Sequence, residues 1–171
     1  IMKKTNKGFS MVELIIVIAI MAILAGALAP ALIKYINKSR ISTDIQTGQT
    51  IATAIQTAVS NEQGYDCASA LAGASQEVNS TYTSAGANGN VFKKSVASTV
   101  GGTSEPKTKS KKCMAGTATS DASKHFWFTV DPAKNTVFVY TGSGNSGRHE
   151  VYPTADDCLT NDEATTCSGT H

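Results

Sequence analysis

The chain is poor in aromatic residues and proline: its 171 residues include five Phe, five Tyr, one Trp and four Pro. Because few large apolar side chains are available and Ser, Thr, Gly and Ala are abundant, we expect one loop-rich domain with a modest core. The three histidines form no recognisable motif with a nucleophile or an orienting carboxylate, so no enzyme activity is expected. The four cysteines include no Cys-x-x-Cys element, and neither a metal nor another cofactor is expected.

Formal charge is missing altogether from residues 14–33. These twenty residues are almost all Ile, Val, Leu, Met or Ala, which is the length and composition that a helix needs to cross a bilayer. Glu13 directly precedes the run with no basic residue beside it, and an acid in such a segment usually marks a function and a partner.

Three lysines, Lys3, Lys4 and Lys7, stand before the apolar run. Without them the chain has 12 basic and 13 acidic residues, a net charge of −1. This balance argues against nucleic acid or acidic lipid as an obligatory partner of a chain that has lost the lysines. Nucleic acid remains possible as a partner, but nothing in the sequence supports it.

Two ordinary interpretations of this N-terminus each leave a feature unexplained. A secretory signal would be cut after the small residues at 27–29, but Pro30 would then follow the cut directly and the run is long for a signal. A plain membrane anchor, with the lysines held in the cytoplasm by the positive-inside rule, gives no role to Glu13.

The sequence Lys-Gly-Phe-Ser-Met-Val-Glu-Leu at residues 7–14 resembles the cleavage site of type IV prepilins. The matching features are a short basic leader that ends in Gly8, then Phe9, then Glu13 four residues later, at the head of the charge-free run. The resemblance implies that a prepilin peptidase cuts between Gly8 and Phe9 and methylates the new amino group of Phe9. It also implies that Glu13 pairs with the Phe9 ammonium of a neighbouring subunit and so sets the axial register of a fibre.

Gly26 and Pro30 interrupt the apolar run. A proline inside a helix costs about 3 kcal/mol and typically produces a kink. The resemblance implies more, namely that residues 22–30 lose helical structure when the subunit is in a fibre.

An amphipathic pattern follows the apolar run. Apolar or small residues recur at spacings of four and three, which indicates one face of a helix: Ile41, Ile45, Gly48, Ala52, Ile55 and Val59. Asp44 is expected to lie off this face. The two patterns together predict one helix from about residue 10 to about residue 60, ended by turn signals at residues 61–64.

The C-terminal third contains three segments rich in aromatic and β-branched residues, at 125–130, 136–141 and 148–152. Short turn-forming segments separate them, so we expect an antiparallel meander. Short strands are also expected at 91–92 and 96–100. The predicted fold class is α+β, with the second half of the long helix packed against the C-terminal sheet, which is similar to the ladle fold of pilins.

The expected organisation has five parts: a leader at 1–8, a transmembrane and polymerisation helix at 9–33, the amphipathic half of the helix at 34–62, a variable connecting segment at 63–124, and the meander with a disulfide-closed loop at 125–171. Four cysteines on the exported side of an anchor indicate two disulfides and allow three pairings. We favour Cys158 with Cys167, since pilins often carry such a local C-terminal bridge, and then Cys67 with Cys113.

The resemblance implies a structural subunit of a type IV pilus, more a major than a minor pilin, that polymerises through its N-terminal helix. The implied partners are other copies of the chain, the prepilin peptidase and an inner-membrane assembly machinery. The subunit would lie in the inner membrane before assembly and in a pilus on the cell surface afterwards. The alternatives are a pseudopilin of a type II secretion or DNA-uptake (competence) system, which shares this N-terminus, and a secreted soluble domain.

Overall fold

The computed structural model describes residues 8–78, 91–100, 106–110, 125–142 and 149–160, except for the side chains of residues 157 and 158. The chain divides into two compact units, the first ending at Lys38 and the second beginning at Ser39.

The longest element, α1, is an α-helix that runs without interruption from Met11–Val59. It confirms the single helix predicted over residues 10–60. Pro30 lies inside α1, and the helix continues on both sides of it. The predicted loss of helical structure near Gly26 and Pro30 concerns the assembled fibre, so it stays a prediction.

The part of α1 after residue 40 provides one wall of the core of the second unit. Its buried residues follow the predicted stripe and widen it: Ile41, Asp44, Gly48, Ile51, Ala52, Ala54, Ile55, Ala58 and Val59. Ile45 is partly buried against the same core. The expectation for Asp44 was wrong, because its side chain is only 1% exposed.

A four-stranded antiparallel sheet provides the opposite wall, in the order β1 (Gln76–Glu77), β2 (Phe126–Asp131), β3 (Thr136–Thr141) and β4 (His149–Tyr152). The last three strands confirm the predicted meander. Side chains alternate along β2 and β3, as a half-buried strand requires, and the buried ones join the core with the α1 stripe: Phe126, Phe128, Val130, Val137 and Val139. Strand β1 was not predicted, because two residues are too short to show a period.

The described residues contain three further α-helices, α2 (Glu62–Ser69), α3 (Val91–Val100) and α4 (Asp157–Thr160), and a 3₁₀ helix at Pro132–Lys134 between β2 and β3. The side chain of Asn61 caps α2 by accepting the Gln63 N–H at 3.0 Å. The short strands expected at 91–92 and 96–100 are wrong, since both lie in α3. The β-branched residues there favoured strands, but burial follows the helical period at Phe92, Val96 and Ala97. The Phe92 ring packs with Phe128 at 6.2 Å between centroids.

Helix α1 lies close against the sheet at Gly48. A Cβ on this residue would lie 2.4 Å from Val151 Cγ2 and 3.2 Å from Val151 Cβ. Because a β-branched valine has little rotamer freedom, it cannot turn away. We therefore expect Gly48→Ala to lower the free energy of unfolding by about 1–3 kcal/mol. Urea unfolding of the purified full chain in detergent, followed by the fluorescence of Trp127, measures this change.

Gly26→Ala is the matched control, because it makes the same substitution inside the same helix. Nothing lies within 4 Å of a Cβ built at Gly26. Alanine favours helix over glycine by up to about 1 kcal/mol, so this variant is expected to be neutral or slightly stabilised. Equal free energies of unfolding for the two variants would show that the helix and the sheet can accommodate a methyl group between Gly48 and Val151.

Candidate cleavage and assembly site

The peptide bond predicted to be cut lies outside regular structure. Gly8 and Phe9 precede α1, both are exposed, and the Phe9 side chain retains 83% of its accessible surface. Nothing lies within 4 Å of a Cβ built at Gly8. An exposed, non-helical backbone is what a peptidase needs to reach a scissile bond, so the geometry is compatible with cleavage here.

Glu13 lies in the first turn of α1 and already has a partner there. Its Oε2 accepts the backbone N–H of Ser10 at 3.2 Å. This contact is half of a capping box, in which an acid at the third helical position bonds back to the residue that precedes the helix. This capping bond was not predicted, although Ser-x-x-Glu at 10–13 is the signature of the motif.

The capping bond also places the carboxylate close to Phe9, which the predicted cleavage would make the first residue. The N–H that Glu13 accepts belongs to Ser10, which directly follows Phe9. An ionised carboxylate has about four acceptor positions, and the Ser10 bond occupies one of them. The remaining positions are available to an ammonium. The negative charge at the start of the helix is further favoured by the helix dipole.

The first unit exposes a continuous apolar surface. Large apolar residues between positions 9 and 36 keep between 42% and 83% of their accessible surface, with Ile36 at the lower limit and Phe9 and Met11 at the upper. In length and composition α1 is able to cross a membrane, and a signal sequence or a core helix of a soluble protein would pass the same test. Unlike a core helix, this part of α1 is exposed along its whole length when the chain is alone.

Asp44 is the main polar residue that sequence reasoning missed. Its carboxylate accepts the backbone N–H of Lys109 at 2.9 and 3.1 Å and that of Ser110 at 2.8 Å. These bonds tie residues 106–110 to α1 within the second unit and satisfy a charge that burial would otherwise make costly. The partners are main-chain groups 65 and 66 positions away, so no local pattern announces them.

Two buried histidines lie beside acids in the sheet region. His125 Nδ1 contacts Glu77 Oε1, and His149 Nδ1 lies 3.8 Å from Asp156 Oδ2. Asp156 also accepts the Glu150 N–H at 2.8 Å. Neither histidine lies beside a nucleophile in these contacts, and the described residues contain no group of three His, Cys, Asp or Glu side chains that could hold a metal ion. We therefore interpret the two histidine–acid pairs as structural contacts in the sheet region.

Burial lowers the pKa of His149 below its ordinary value of 6.5, and the Asp156 carboxylate opposes this effect more weakly. A histidine whose pKa is lower in the folded state disfavours folding once it is protonated. The free energy of unfolding is therefore unaffected by protonation of His149 above about pH 6.5, and it decreases as the pH falls below that value. The loss reaches about 1.4 kcal/mol for each pH unit by which the pKa is lowered.

We expect the urea concentration at the unfolding midpoint of the full chain to decrease when the pH is lowered from 7.5 to 5.5. The decrease should be smaller for His149→Gln, because glutamine cannot be protonated. The carboxylates are present in both chains, so the difference between the two decreases in midpoint gives the contribution of His149 alone. Equal decreases would contradict the lowered pKa of His149.

The predicted disulfides are not tested by the described residues. Cys67 lies half-buried on α2 and is a free thiol in the structure, while Cys113 and Cys167 fall outside the described residues, as does the side chain of Cys158. Both pairings stay predictions.

Comparison with known proteins agrees with the geometry of the N-terminus. The family model described as "Prokaryotic N-terminal methylation motif" matches residues 3–29. Two curated proteins named type IV major fimbrial protein FimA, both from Dichelobacter nodosus, are similar to this chain. One is 43% identical over 68 residues, which are 39% of this chain and 43% of the relative. The other is 46% identical over 59 residues, which are 34% of this chain and 37% of the relative.

The chain thus matches less than half the length of the curated relatives. No solved structure matches it. The matched motif contains Gly8, Phe9 and Glu13 and the apolar run up to residue 29. The N-terminal segment therefore carries the prokaryotic N-terminal methylation motif, which agrees with the resemblance of residues 7–14 to a prepilin cleavage site. The particular similarity is to type IV major fimbrial protein FimA.

Proposed function

We propose that the chain is the precursor of a type IV pilin, the major structural subunit of a surface pilus. The observation that carries the proposal is the combination at the start of α1. An exposed Gly8–Phe9 bond is followed by an acid in the first helical turn and then by a charge-free helical surface that is exposed in the single chain. Such a surface needs lipid or other copies of itself to cover it.

In this account cleavage after Gly8 removes three lysines and creates one ammonium on Phe9. A membrane-embedded prepilin peptidase makes the cut on the cytoplasmic side and methylates the new amine. Glu13 can accept a bond from that ammonium while it still caps its own helix. A buried acid that finds its cation on the next subunit fixes the axial register, because a shifted neighbour would leave two buried charges unpaired.

The helix then exchanges one apolar environment for another. Before assembly the run at 14–33 lies in the inner membrane, and in the pilus it lies against the same segment of neighbouring subunits. An inner-membrane assembly machinery supplies the work of extraction. The role is structural rather than enzymatic. The relatives named as major fimbrial proteins favour a pilin over a pseudopilin of a secretion or DNA-uptake system.

The test is electron microscopy of a deletion strain that carries the gene on a plasmid. We expect fibres with the wild-type gene and none with Gly8→Val, whose side chain fills the space beside the scissile bond that glycine leaves open. The Gly8→Val subunit should accumulate in the membrane with its leader, about 0.9 kDa heavier than the mature form, from roughly 110 Da for each of eight residues. Normal fibres in the deletion strain itself would contradict the proposal.

A further inference from the structure

Two lysines follow the apolar run on one face of α1. Lys34 and Lys38 are four residues apart, so their side chains lie one above the other on the helix, and both are exposed. Tyr35 lies beside them with 73% of its surface accessible. In the part of the chain that the structure describes, neither lysine side chain makes an ion pair or a hydrogen bond.

Their distance from Glu13 matches the thickness of a bilayer. Twenty uncharged residues separate Glu13 from Lys34, and at 1.5 Å per residue they extend about 30 Å, which equals the hydrocarbon core. Lys34 then lies where the hydrocarbon ends, and Lys38 lies about 6 Å further, among the headgroups. Tyrosine is enriched at this depth, and lysine stems extend along apolar surface to bring their charge to the interface.

The positive-inside rule, which sets the orientation of a helix in the membrane, does not explain why lysines stand at positions 34 and 38. The positive-inside rule favours cations on the cytoplasmic side, where the leader lies, and Lys34 and Lys38 are at the opposite end of the run. We propose that Lys34 and Lys38, with Tyr35, form a binding site for the headgroups of anionic phospholipids in the leaflet opposite the leader. The inference rests on the proposed function, because it requires α1 to span a membrane before assembly.

Local charge supports lipid rather than a second copy of this segment as the occupant. Glu13 is the only carboxylate between residues 8 and 38, and it bonds Ser10 at the other end of the run. A neighbour displaced by the four residues that bring Phe9 of one subunit to Glu13 of the other presents residues 30–42 at the level of the lysines, and none of these is acidic. The net charge of −1 beyond residue 8 argues against acidic lipid as an obligatory partner of the whole chain, but it does not govern two adjacent cations held at the headgroup plane.

The experiment uses the full chain reconstituted in vesicles of phosphatidylcholine and phosphatidylglycerol. Electron spin resonance of spin-labelled lipids gives the association of each lipid with the protein. One lysine near an anionic surface contributes about a fivefold preference, so we expect the wild-type chain to select phosphatidylglycerol several-fold. Lys34→Gln/Lys38→Gln should reduce the ratio to near one, and 1 M salt should weaken the preference of the wild-type chain.

Lys93→Gln/Lys94→Gln is the matched control, because it removes the same charge from α3 and should keep the preference. An equal loss of the phosphatidylglycerol preference in the control would overturn the proposal, because the preference would then depend on the net charge of the chain. It would also be overturned if the wild-type chain showed no preference while Lys34→Gln/Lys38→Gln abolished fibres, since the lysines would then serve a neighbouring subunit. Insertion without lipid preference defeats this inference alone, whereas failure of the wild-type chain to insert defeats the proposed function as well.

Discussion

Glu13→Gln is expected to leave a subunit that is cut and methylated normally but yields at least tenfold less surface fibre. Glutamine keeps an oxygen that can accept the Ser10 N–H, so the start of α1 remains capped. It loses the negative charge that, in the proposed assembly, pairs with the Phe9 ammonium of a neighbouring subunit. Loss of one partner of a buried ion pair costs about 3–5 kcal/mol, and each 1.4 kcal/mol is a factor of ten in an equilibrium. Sheared fibres and membrane-bound subunit are quantified side by side.

Glu13→Ala separates the two roles of this carboxylate, because it removes both the charge and the capping oxygen. If pairing governs assembly, the glutamine and alanine variants lose fibre to a similar extent. If capping of α1 governs it, glutamine behaves as wild type and only alanine fails. Full-length fibres from both variants would refute the role of Glu13 in assembly.

Asp44→Ala is expected to lower the free energy of unfolding by about 2–4 kcal/mol. The variant removes an ionised acceptor that holds the N–H groups of Lys109 and Ser110, and hydrogen bonds to charged groups contribute about 1.5–3 kcal/mol each. Because these bonds tie residues 106–110 to α1, that segment should also lose protection in amide hydrogen exchange. Urea unfolding monitored at Trp127 measures the stability.

Asp66→Ala is the control for this variant. Asp66 is exposed on α2, so replacing it removes an acid from a helix without burying an unsatisfied group. Substitutions of this kind usually change stability by less than about 0.5 kcal/mol. A change of that size for Asp44→Ala would mean that its bonds contribute nothing net, in spite of their geometry.

The elements that the sequence predicted well are those with a long or strongly periodic pattern. Helix α1 combines a charge-free run with a stripe at spacings of four and three, and the strands β2 and β3 alternate over six residues each. The N-terminal methylation motif could be recognised because the leader, Phe9 and Glu13 stand at fixed spacing within a few residues, and the cleavage between Gly8 and Phe9 stays a prediction.

The failures have physical causes. The residues of α3 favour strands by intrinsic preference, but packing of Phe92 against the core decides the conformation. Asp44 was expected to lie off the buried face because acids usually do, whereas its carboxylate is buried and accepts hydrogen bonds from main-chain groups distant in sequence. Contacts that form only when remote segments meet leave no local period, and one sequence alone does not reveal them.

The N-terminus of the subunit isolated from sheared fibres tests the central claim most directly. Mass spectrometry of the N-terminal peptide measures both the position of the cut and the methyl group. The account predicts a chain that begins at Phe9 and carries one methyl group on its α-amino nitrogen, with Glu13 four residues behind it. A fibre subunit that begins at Pro30, or that retains Gly8 and the lysines before it, would contradict the account.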